Sequence, residues 1–359
     1  MYSSKSLKEF TYSVFRAIGC SSVDACIASE VLSQADLRGV DSHGVARLSG
    51  YVRLWEKKRL HAQPKMKVVH ETPSTAVLDA DLAMGLVSAQ KGMQVAIEKA
   101  KTVGSGWVAI KNSNHFGIAA AHSMVALEEN MIGFAMTNAS PLVAPTFSKS
   151  KLLGTNPISV AIPTAKQPPL VIDLATTPAA NGKLEVLQRA GENAPKGWAQ
   201  DAEGNPSIDA SILKKGGAML PLGSDRQHGS HKGYCLGSWV DIFSGILSGA
   251  NYGPWVPPFV AFLDPLENLV GEGLGHFVGV WRVDAFRPVD EFKKHMDQWI
   301  ETFRNAKPTG DEKVLIPGDP ERLLTAKRLK EGVPVQPQVI DDLKQLANKL
   351  DITFSIEKQ

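Results

Sequence analysis

Two histidines lie in short polar motifs that interrupt apolar sequence. Asp41-Ser42-His43-Gly44 is followed by Arg47, and Asn112-Ser113-Asn114-His115-Phe116-Gly117 contains the second histidine. Imidazole exchanges protons near neutral pH, a serine hydroxyl can hydrogen-bond a substrate oxygen, and an arginine can bind a carboxylate through two parallel bonds. The combination suits acid–base chemistry on a small carboxylate, although each motif alone also fits a polar turn or a helix cap.

Three further motifs suit a bound anion or the close approach of a ligand. Leu153-Gly154-Thr155-Asn156-Pro157 and Asp173-Leu174-Ala175-Thr176-Thr177 carry little side-chain bulk beside apolar runs, so a ligand can approach the backbone. His231-Lys232-Gly233-Tyr234 opens a predicted helix, where a lysine is electrostatically misplaced unless an anion such as phosphate neutralises it. The alternatives are a strand-end turn at Asp173 and a Lys232 side chain that extends into solvent.

Apolar periodicity predicts the elements that position these motifs. Helices are predicted over Val23–Leu37, Leu86–Val103, Ile118–Glu129, Val289–Phe303, Glu321–Lys330 and Gln338–Leu350, and a buried helix over Gly233–Leu247. Strands are predicted over Trp107–Ile110, Ile132–Thr137, Ile158–Ile162, Leu170–Leu174, Phe259–Leu263 and Phe277–Val283, with a long loop excursion over 191–230. The order indicates a helical domain built from both termini beside a central sheet domain.

Composition is that of an ordinary globular protein and argues against several function classes. The 359 residues can form two or three domains or one large domain, and a net charge of +2 without basic runs argues against nucleic-acid binding. Three cysteines without a CxxC pair argue against a disulfide framework and a zinc site. The start MYSSKSLKEF lacks a signal-peptide core, and no uncharged apolar stretch reaches about 18 residues. We therefore expect a cytosolic protein without a membrane partner.

The dinucleotide fingerprint GxGxxG is missing from the sequence. Gly271-Glu272-Gly273-Leu274-Gly275 comes nearest, but its last spacing is wrong and it leads into a β-like run, which is typical of a turn. The P-loop pattern is absent as well. A conventional nucleotide-binding fold is therefore not expected.

Taken together, DSHGVARL, NSNHFG, LGTNP, DLATT and HKGY resemble, in this order and spacing, the malate/L-lactate dehydrogenase family of the non-Rossmann type. The similarity runs from about Leu7 to about Leu350. It implies an α/β protein in which a largely antiparallel sheet forms a non-Rossmann nicotinamide-binding domain. The implied bounds are 71–288 for this nicotinamide-binding and catalytic domain, and 1–70 with 289–359 for the helical domain. A homodimer is also implied.

The resemblance also implies roles for individual residues. In such proteins the motif histidines supply the proton and NAD or NADP supplies the hydride, so His43 and His115 are both candidate catalytic acids, with Ser42 as the polar partner of His43. No metal is implied. Arg47 and Thr155 are implied to contact the substrate carboxylate. The implied cofactor contacts are Ser140, Asp173, Leu174, Ala175, Lys232 and Gly318.

The expected reaction is the interconversion of a small 2-hydroxy acid and its 2-oxo acid. Two departures from the family pattern, Asn181-Gly182-Lys183 and Gly229-Ser230-His231, lie near the expected cofactor site and leave the choice between NAD and NADP open. One alternative is a related reductase of a cyclic imine carboxylate or a sugar-derived keto acid. Another is a hydrolase using Ser42 with His43, which is disfavoured because neighbours in an extended loop point apart and no GxSxG elbow is present.

Overall fold

A computed structural model of the chain describes residues 1–259, 263, 266–267 and 269–359. The strand predicted over Phe259–Leu263 lies largely outside the described residues, so it stays a prediction. Within the described parts of the chain, no helix is both long and apolar enough to cross a lipid bilayer.

Helices from both ends of the chain share one apolar core. α1 spans Ser4–Ala17, α2 spans Ser22–Leu37 and α3 spans Leu48–Glu56. The helix predicted over Val23–Leu37 is confirmed to within one residue. The Ser21 hydroxyl accepts from the Asp24 N–H at its start, and Gly39 adopts a φ of +83° just after its end. Near the other end of the chain, α10 (Pro337–Lys349) contributes its predicted apolar face, and its residues pack with those of the first three helices.

A seven-stranded sheet forms the centre of the protein, with strand order β1-β2-β3-β10-β4-β5-β6. Every neighbouring pair is antiparallel except β2 with β3. The strands are β1 (Lys67–Glu71), β2 (Thr75–Ala83), β3 (Ser105–Ser113), β4 (Met131–Thr137), β5 (Ile158–Ile162), β6 (Leu170–Leu174) and β10 (Leu274–Arg282). Strands β5 and β6 have the bounds that were predicted from their apolar runs.

Different layers cover the two faces of the sheet. α4 (Gly85–Val103) packs small and apolar residues on one face, where Gly92 lies against Ile110 and Val278. The other face carries an aromatic cluster that includes Trp107, Phe134, Phe277 and Trp281. Side chains alternate between these layers along each strand, as a two-residue period requires.

The middle of the chain contains several short elements, only some of which were predicted from the sequence. α5 (Ala120–Ser123) continues as a 3-10 helix over Met124–Glu129, so the helix predicted there is confirmed only in part. α6 spans Asn181–Ala190. The predicted loop excursion contains a small antiparallel sheet of β7 (Ala199–Gln200), β8 (Pro206–Ser207) and β9 (Ala218–Met219).

The prediction of a buried helix over Gly233–Leu247 is wrong in burial and in form. α7 spans Ser230–Asp241 and then widens into a π-helical segment over Ile242–Ile246. One side packs on the aromatic face of the sheet, whereas Tyr234, Trp239, Ile242, Ile246 and Leu247 are exposed. Apolar periodicity does not distinguish a core helix from one that leaves an apolar surface uncovered.

Two more helices follow β10 and pack at different places. α8 (Val289–Arg304) places Ile300 beside Leu170 of the edge strand β6. α9 (Asp319–Glu331) starts at Gly318, contacts α2, and approaches both the sheet edge and the N-terminal helices.

Candidate active site

Ser42 and His43 lie on a 3-10 turn, Asp41–His43, directly after α2. The turn brings the Ser42 Oγ to 2.9 Å from the His43 Nδ1. The expectation that these neighbouring side chains point apart is therefore wrong, because it assumed an extended loop and the backbone is a tight turn. A serine hydroxyl can donate or accept, so this contact is compatible with either protonation state of His43.

Arg47 closes a second 3-10 turn, Val45–Arg47, and caps α3. Its Nε donates to the Ser42 carbonyl at 2.5 Å, which fixes the guanidinium beside the first turn. One terminal nitrogen lies 4.0 Å from the Glu185 carboxylate, and the guanidinium carbon lies 6.0 Å from the centre of the Phe259 ring. A contact of 4.0 Å leaves the outer edge of the guanidinium available to another carboxylate.

His115 lies in the loop after β3, and the preceding residue anchors this loop to the neighbouring backbone. The buried Asn114 side chain donates from its amide to the backbone carbonyls of Arg59, Leu82 and Ala83, which ties the loop to the end of β2. This accounts for the polar residues before the histidine. They anchor the backbone, and the His115 ring points to the opposite side, toward α3.

The hydrogen bonds of His115 determine its tautomer. The Tyr51 hydroxyl lies 2.7 Å from the His115 Nδ1, and the Gly117 N–H donates to the same nitrogen at 3.3 Å. A backbone N–H can only donate, so Nδ1 presents its lone pair and the proton of the neutral ring is assigned to Nε2. Among the described residues, Nε2 has no hydrogen-bond partner in His115 or in His43.

The two imidazoles stack on each other. Their ring centres are 5.4 Å apart with an interplanar angle of 24°, and the Phe259 ring lies 4.6 Å from that of His115. Loss of hydration and the nearby Arg47 charge lower the pKa of His43 to about 4. Loss of hydration lowers the pKa of His115 well below its ordinary value, with His43 and Arg47 adding to the effect. Both rings are therefore neutral at pH 7 in this arrangement.

Sequence reasoning missed Tyr51 and Phe259 as parts of this site. Tyr51 lies one helical turn after Arg47, and this i, i+4 spacing is a signal that places both side chains on one side of α3. The Tyr51 ring also meets Phe259 edge-on at 5.2 Å. No local signal marks Phe259, because its role depends on contacts with residues more than 100 positions away.

Ser140 and Thr155 lie in neighbouring loops that reach the histidine pair through Phe259. The Ser140 hydroxyl donates to the Pro257 carbonyl at 3.1 Å and accepts from the Phe259 N–H at 3.3 Å. Buried Asn156 accepts from the Ala139 N–H, so the LGTNP motif adjoins the Ser140 loop. Thr155, in the same motif, accepts from the Thr176 N–H with its carbonyl at 2.9 Å, which joins LGTNP to DLATT.

Asp173, Leu174 and Ala175 lie at the end of the edge strand β6, and Gly318 lies against Val171 near the start of the same strand. Asp173 and Leu174 are exposed, and the Asp173 carboxylate accepts from the Ala120 N–H at 3.1 Å. Gly318 has a φ of +93° and lies so close to Val171 that a Cβ would come within 3.2 Å of it. Asp173 therefore lies next to the last residue of the edge strand β6, where its carboxylate has a backbone N–H as a partner.

Lys232 lies in the first turn of α7 and is exposed. In the part of the chain that the structure describes, its ammonium makes no hydrogen bond or ion pair. Gly233 of the same turn packs on the Leu222 backbone, which in turn bonds to Thr176. The cation thus lies on the helix that adjoins the DLATT segment, with its charge uncompensated.

These contacts connect the motif segments in a ring. The segments in contact are, in order, DLATT, LGTNP, the Ser140 loop, Phe259, His115 and His43. α6, which follows DLATT in the chain, completes the ring because a Cβ on Gly182 would lie 2.4 Å from that of Ser42. A cavity of about 430 Å³ opens beside Arg47 and is lined by Ser42, Gly182 and Glu185 among others. His43, His115 and Lys232 are not among its lining residues. In the described chain, no three His, Cys, Asp or Glu side chains gather as metal ligands.

Comparisons with known proteins confirm the family and the fold expected from the motifs. The profile of the malate/L-lactate dehydrogenase family matches residues 2–344. A malate dehydrogenase of Pyrococcus abyssi is 40% identical over 96% of this chain and 94% of that protein, and an L-sulfolactate dehydrogenase of Methanocaldococcus jannaschii is 35% identical over 97% and 96%. The crystal structure of malate dehydrogenase from Entamoeba histolytica superposes with a TM-score of 0.90 at 34% identity, covering 98% of both chains. The chain belongs to the malate/L-lactate dehydrogenase family and is an NAD(P)-dependent dehydrogenase of 2-hydroxy acids.

Proposed function

We propose that the protein interconverts malate, or a closely similar short 2-hydroxy acid, with its 2-oxo acid. The observation that carries this proposal is the stacked pair of neutral imidazoles beside the Arg47 guanidinium, in which each Nε2 has no hydrogen-bond partner among the residues that the structure describes. Two acid–base groups next to one carboxylate-binding group suit a substrate whose carbonyl adjoins a carboxylate. The similarity to proteins named malate and sulfolactate dehydrogenase supports substrates of this size.

Arg47 binds and orients the substrate carboxylate. Its Nε is already committed to the Ser42 carbonyl, so the side chain is held in place before the substrate arrives. The incoming carboxylate replaces the weak 4.0 Å contact with Glu185 and adds charge-assisted hydrogen bonds. Holding the carboxylate beside the histidines fixes the position of the adjacent carbonyl, which removes orientational freedom from the reaction. Thr155 is proposed as a second contact to the carboxylate.

The two histidines have different roles in this mechanism. The lone pair on the His115 Nδ1 is occupied by two donors, so this ring stays neutral and its Nε2–H donates a hydrogen bond to the substrate oxygen. His43 can carry a second proton, because the Ser42 oxygen can accept from a protonated Nδ1. A bound substrate carboxylate raises the pKa of His43 from the low value that burial and the Arg47 charge give it. His43 is therefore the proton donor in reduction and the proton acceptor in oxidation.

The residues at the end of β6 and on α7 fit a nicotinamide dinucleotide. The Lys232 charge in the first turn of α7, which no described residue pairs with, suits a pyrophosphate, and the exposed apolar Leu174 suits an uncharged ring. Ser140, Asp173, Ala175 and Gly318 are proposed as further contacts. When bound, NAD(P)H supplies the hydride that the carbonyl carbon receives. Asp173 can accept a hydrogen bond from a ribose hydroxyl, which leaves the choice of NAD or NADP to measurement.

Oxidation of NADH and NADPH should be followed by absorbance with oxaloacetate, pyruvate, 3-sulfopyruvate and a cyclic imine carboxylate. We expect turnover with oxaloacetate, and turnover restricted to the imine would select the alternative reductase. His43→Gln should lower kcat by about 10²–10⁴, the usual range for general acid catalysis, and should remove the pH dependence of kcat. His115→Gln should lower kcat while keeping the pH dependence. Near wild-type kcat in both variants would contradict the proposed acid chemistry.

We also propose that the protein is a homodimer that buries the exposed apolar side of α7 and the following π-helical segment. Trp239, Ile242, Ile246 and Leu247 lie on this surface, and apolar patches of this kind mark protein contacts. Sedimentation at micromolar concentration should give twice the chain mass, and Ile246→Asp should shift it to the monomer. A monomeric wild type would contradict the dimer.

The two proposed domains are 1–70 with 289–359, and 71–288. The shared core of α1, α2, α3 and α10 supports the first domain. Ile300 of α8 packs on β6, so this helix bridges the proposed boundary. Hydrogen exchange in mild denaturant should show α1 and α10 opening together, whereas independent opening of these two helices would contradict the division.

A further inference from the structure

Two carboxylates hold the turns that carry Ser42, His43 and Arg47, and neither belongs to the proposed chemistry. Asp36, in the last turn of α2, is 5% exposed, and its Oδ2 accepts from the Val45 N–H at 2.9 Å. Gly44 lies directly against this carboxylate, because a Cβ there would come within 1.8 Å of Oδ1. The backbone between His43 and Val45 is therefore packed onto a buried side chain that sets its position.

The second carboxylate, Asp41, begins the catalytic turn and is held from the far end of the sequence. Arg328 of α9 is 7% exposed, and its Nη1 donates to both the Asp36 backbone carbonyl and the Asp41 carboxylate. Its Nη2 donates to the other Asp41 oxygen at 3.2 Å. One buried guanidinium thus joins the end of α2 to the start of the turn, with a fork geometry that an ammonium cannot reproduce.

We propose that Arg328 is a positioning residue that sets where His43 and Arg47 present their side chains to the substrate. The proposal rests on the function proposed above. Without the guanidinium, Asp41 loses its partner and the buried Asp36 carbonyl loses a donor, so the turn can move away from the His115 ring. The residues that contact the substrate should be affected, whereas the proposed nucleotide contacts on β6 and α7 lie on other elements, and Gly318 lies at the opposite end of α9 from Arg328.

Two substitutions near Arg328 can distinguish a positioning role from a general loss of stability. Asp41 is about half exposed, so Asp41→Asn removes the ion pair without placing a bare charge in the interior. Lys327 is the neighbour of Arg328 on α9, is largely exposed, and pairs only with Glu331 among the described residues. Lys327→Met is therefore a matched control that removes a cation from the same helix without touching the turn.

The test combines steady-state kinetics with hydrogen exchange. In Arg328→Ala and Asp41→Asn we expect kcat/KM for the 2-oxo acid to fall about 10–100-fold and about 3–10-fold, in line with the loss of buried charge-assisted hydrogen bonds. The KM for NAD(P)H should stay within about twofold. Added guanidinium ion should restore part of the activity of Arg328→Ala, which a general loss of stability would not allow. Lys327→Met should behave as the wild type.

Exchange of the 41–47 amides gives a readout that does not depend on turnover. It should be faster in Arg328→Ala and Asp41→Asn than in the wild type and in Lys327→Met, while α10 keeps its protection. Unchanged exchange in 41–47 together with wild-type kinetics in both variants would overturn the role of Arg328. A wild type that turns over no 2-oxo acid, yet shows the expected exchange pattern, would instead refute the proposed function and leave the positioning contact standing.

Discussion

Replacing Tyr51 by phenylalanine tests the division of roles between the two histidines. The phenol is completely buried and its oxygen lies 2.7 Å from the His115 Nδ1, so the substitution removes one hydroxyl and leaves the ring packing intact. The Gly117 N–H still donates to Nδ1 at 3.3 Å, which keeps the acceptor partly satisfied. The loss should therefore fall in the lower part of the range for a buried hydrogen bond, about 1–2 kcal/mol.

The same free energy sets the expected kinetic effect. If His115 must present Nε2–H to the substrate, losing about 1–2 kcal/mol of its orientation lowers kcat/KM for the 2-oxo acid about 5–30-fold. The KM for NAD(P)H should not change. Tyr12→Phe is the control, since this partly buried tyrosine packs on the helical core and its hydroxyl makes no hydrogen bond within the described residues.

Stopped-flow and steady-state assays of both variants, with thermal unfolding to confirm the fold, decide the matter. Tyr51→Phe with kcat/KM within about twofold of Tyr12→Phe would refute the view that Tyr51 orients the His115 ring.

Three further outcomes follow from the same contacts. Arg47→Lys should raise the KM for the 2-oxo acid about 10–100-fold, because an ammonium cannot form two parallel bonds to a carboxylate, and equal KM values would contradict carboxylate binding there. Lys232→Met should raise the KM for NAD(P)H about tenfold in low salt and leave that for the 2-oxo acid unchanged; the reverse pattern would remove Lys232 from the cofactor site. Burial lowers the pKa of His122 from 6.5 to about 4, so the unfolded chain takes up a proton below pH 6.5 that the folded protein takes up only near pH 4. The free energy of unfolding should therefore decrease as the pH is lowered from 6.5 to about 4, with this group contributing at most about 1.4 kcal/mol per pH unit. In urea denaturation, His122→Gln should reduce this dependence of the unfolding free energy on pH.

Local sequence was enough for most of the elements and for the candidate residues. Helix α2 was predictable from Ser21 at its start and Gly39 beyond its end, since caps act within one turn. β5 and β6 were predictable from short apolar runs bounded by turn residues. The small sheet was missed because residues 191–230 are rich in Gly, Asp, Asn and Pro and its strands are only two residues long. No helix was predicted over α6, which is a short helix of ten residues directly before that interval.

The candidate site was only partly accessible to sequence reasoning. His43, Ser42 and Arg47 are close in the chain, so the motif that carries them also brings them together. The sequence left the tautomer of His115 open, because it depends on a hydroxyl 64 positions away. The apolar composition of α7 predicted burial, yet only one side of that helix is covered in a single chain.

The sequence by itself determined the chemical groups available, the family to which the chain belongs, and the elements on which its motifs lie. Only the tertiary structure decided that two imidazoles stack, that Tyr51 occupies one nitrogen of His115, and that Arg328 reaches the catalytic turn from 287 positions away. The physical reason is the separation along the chain over which each interaction acts. Periodicity and caps act over a few residues, whereas hydration, hydrogen-bond direction and charge pairing at a site depend on packed neighbours whose separation along the chain is not limited.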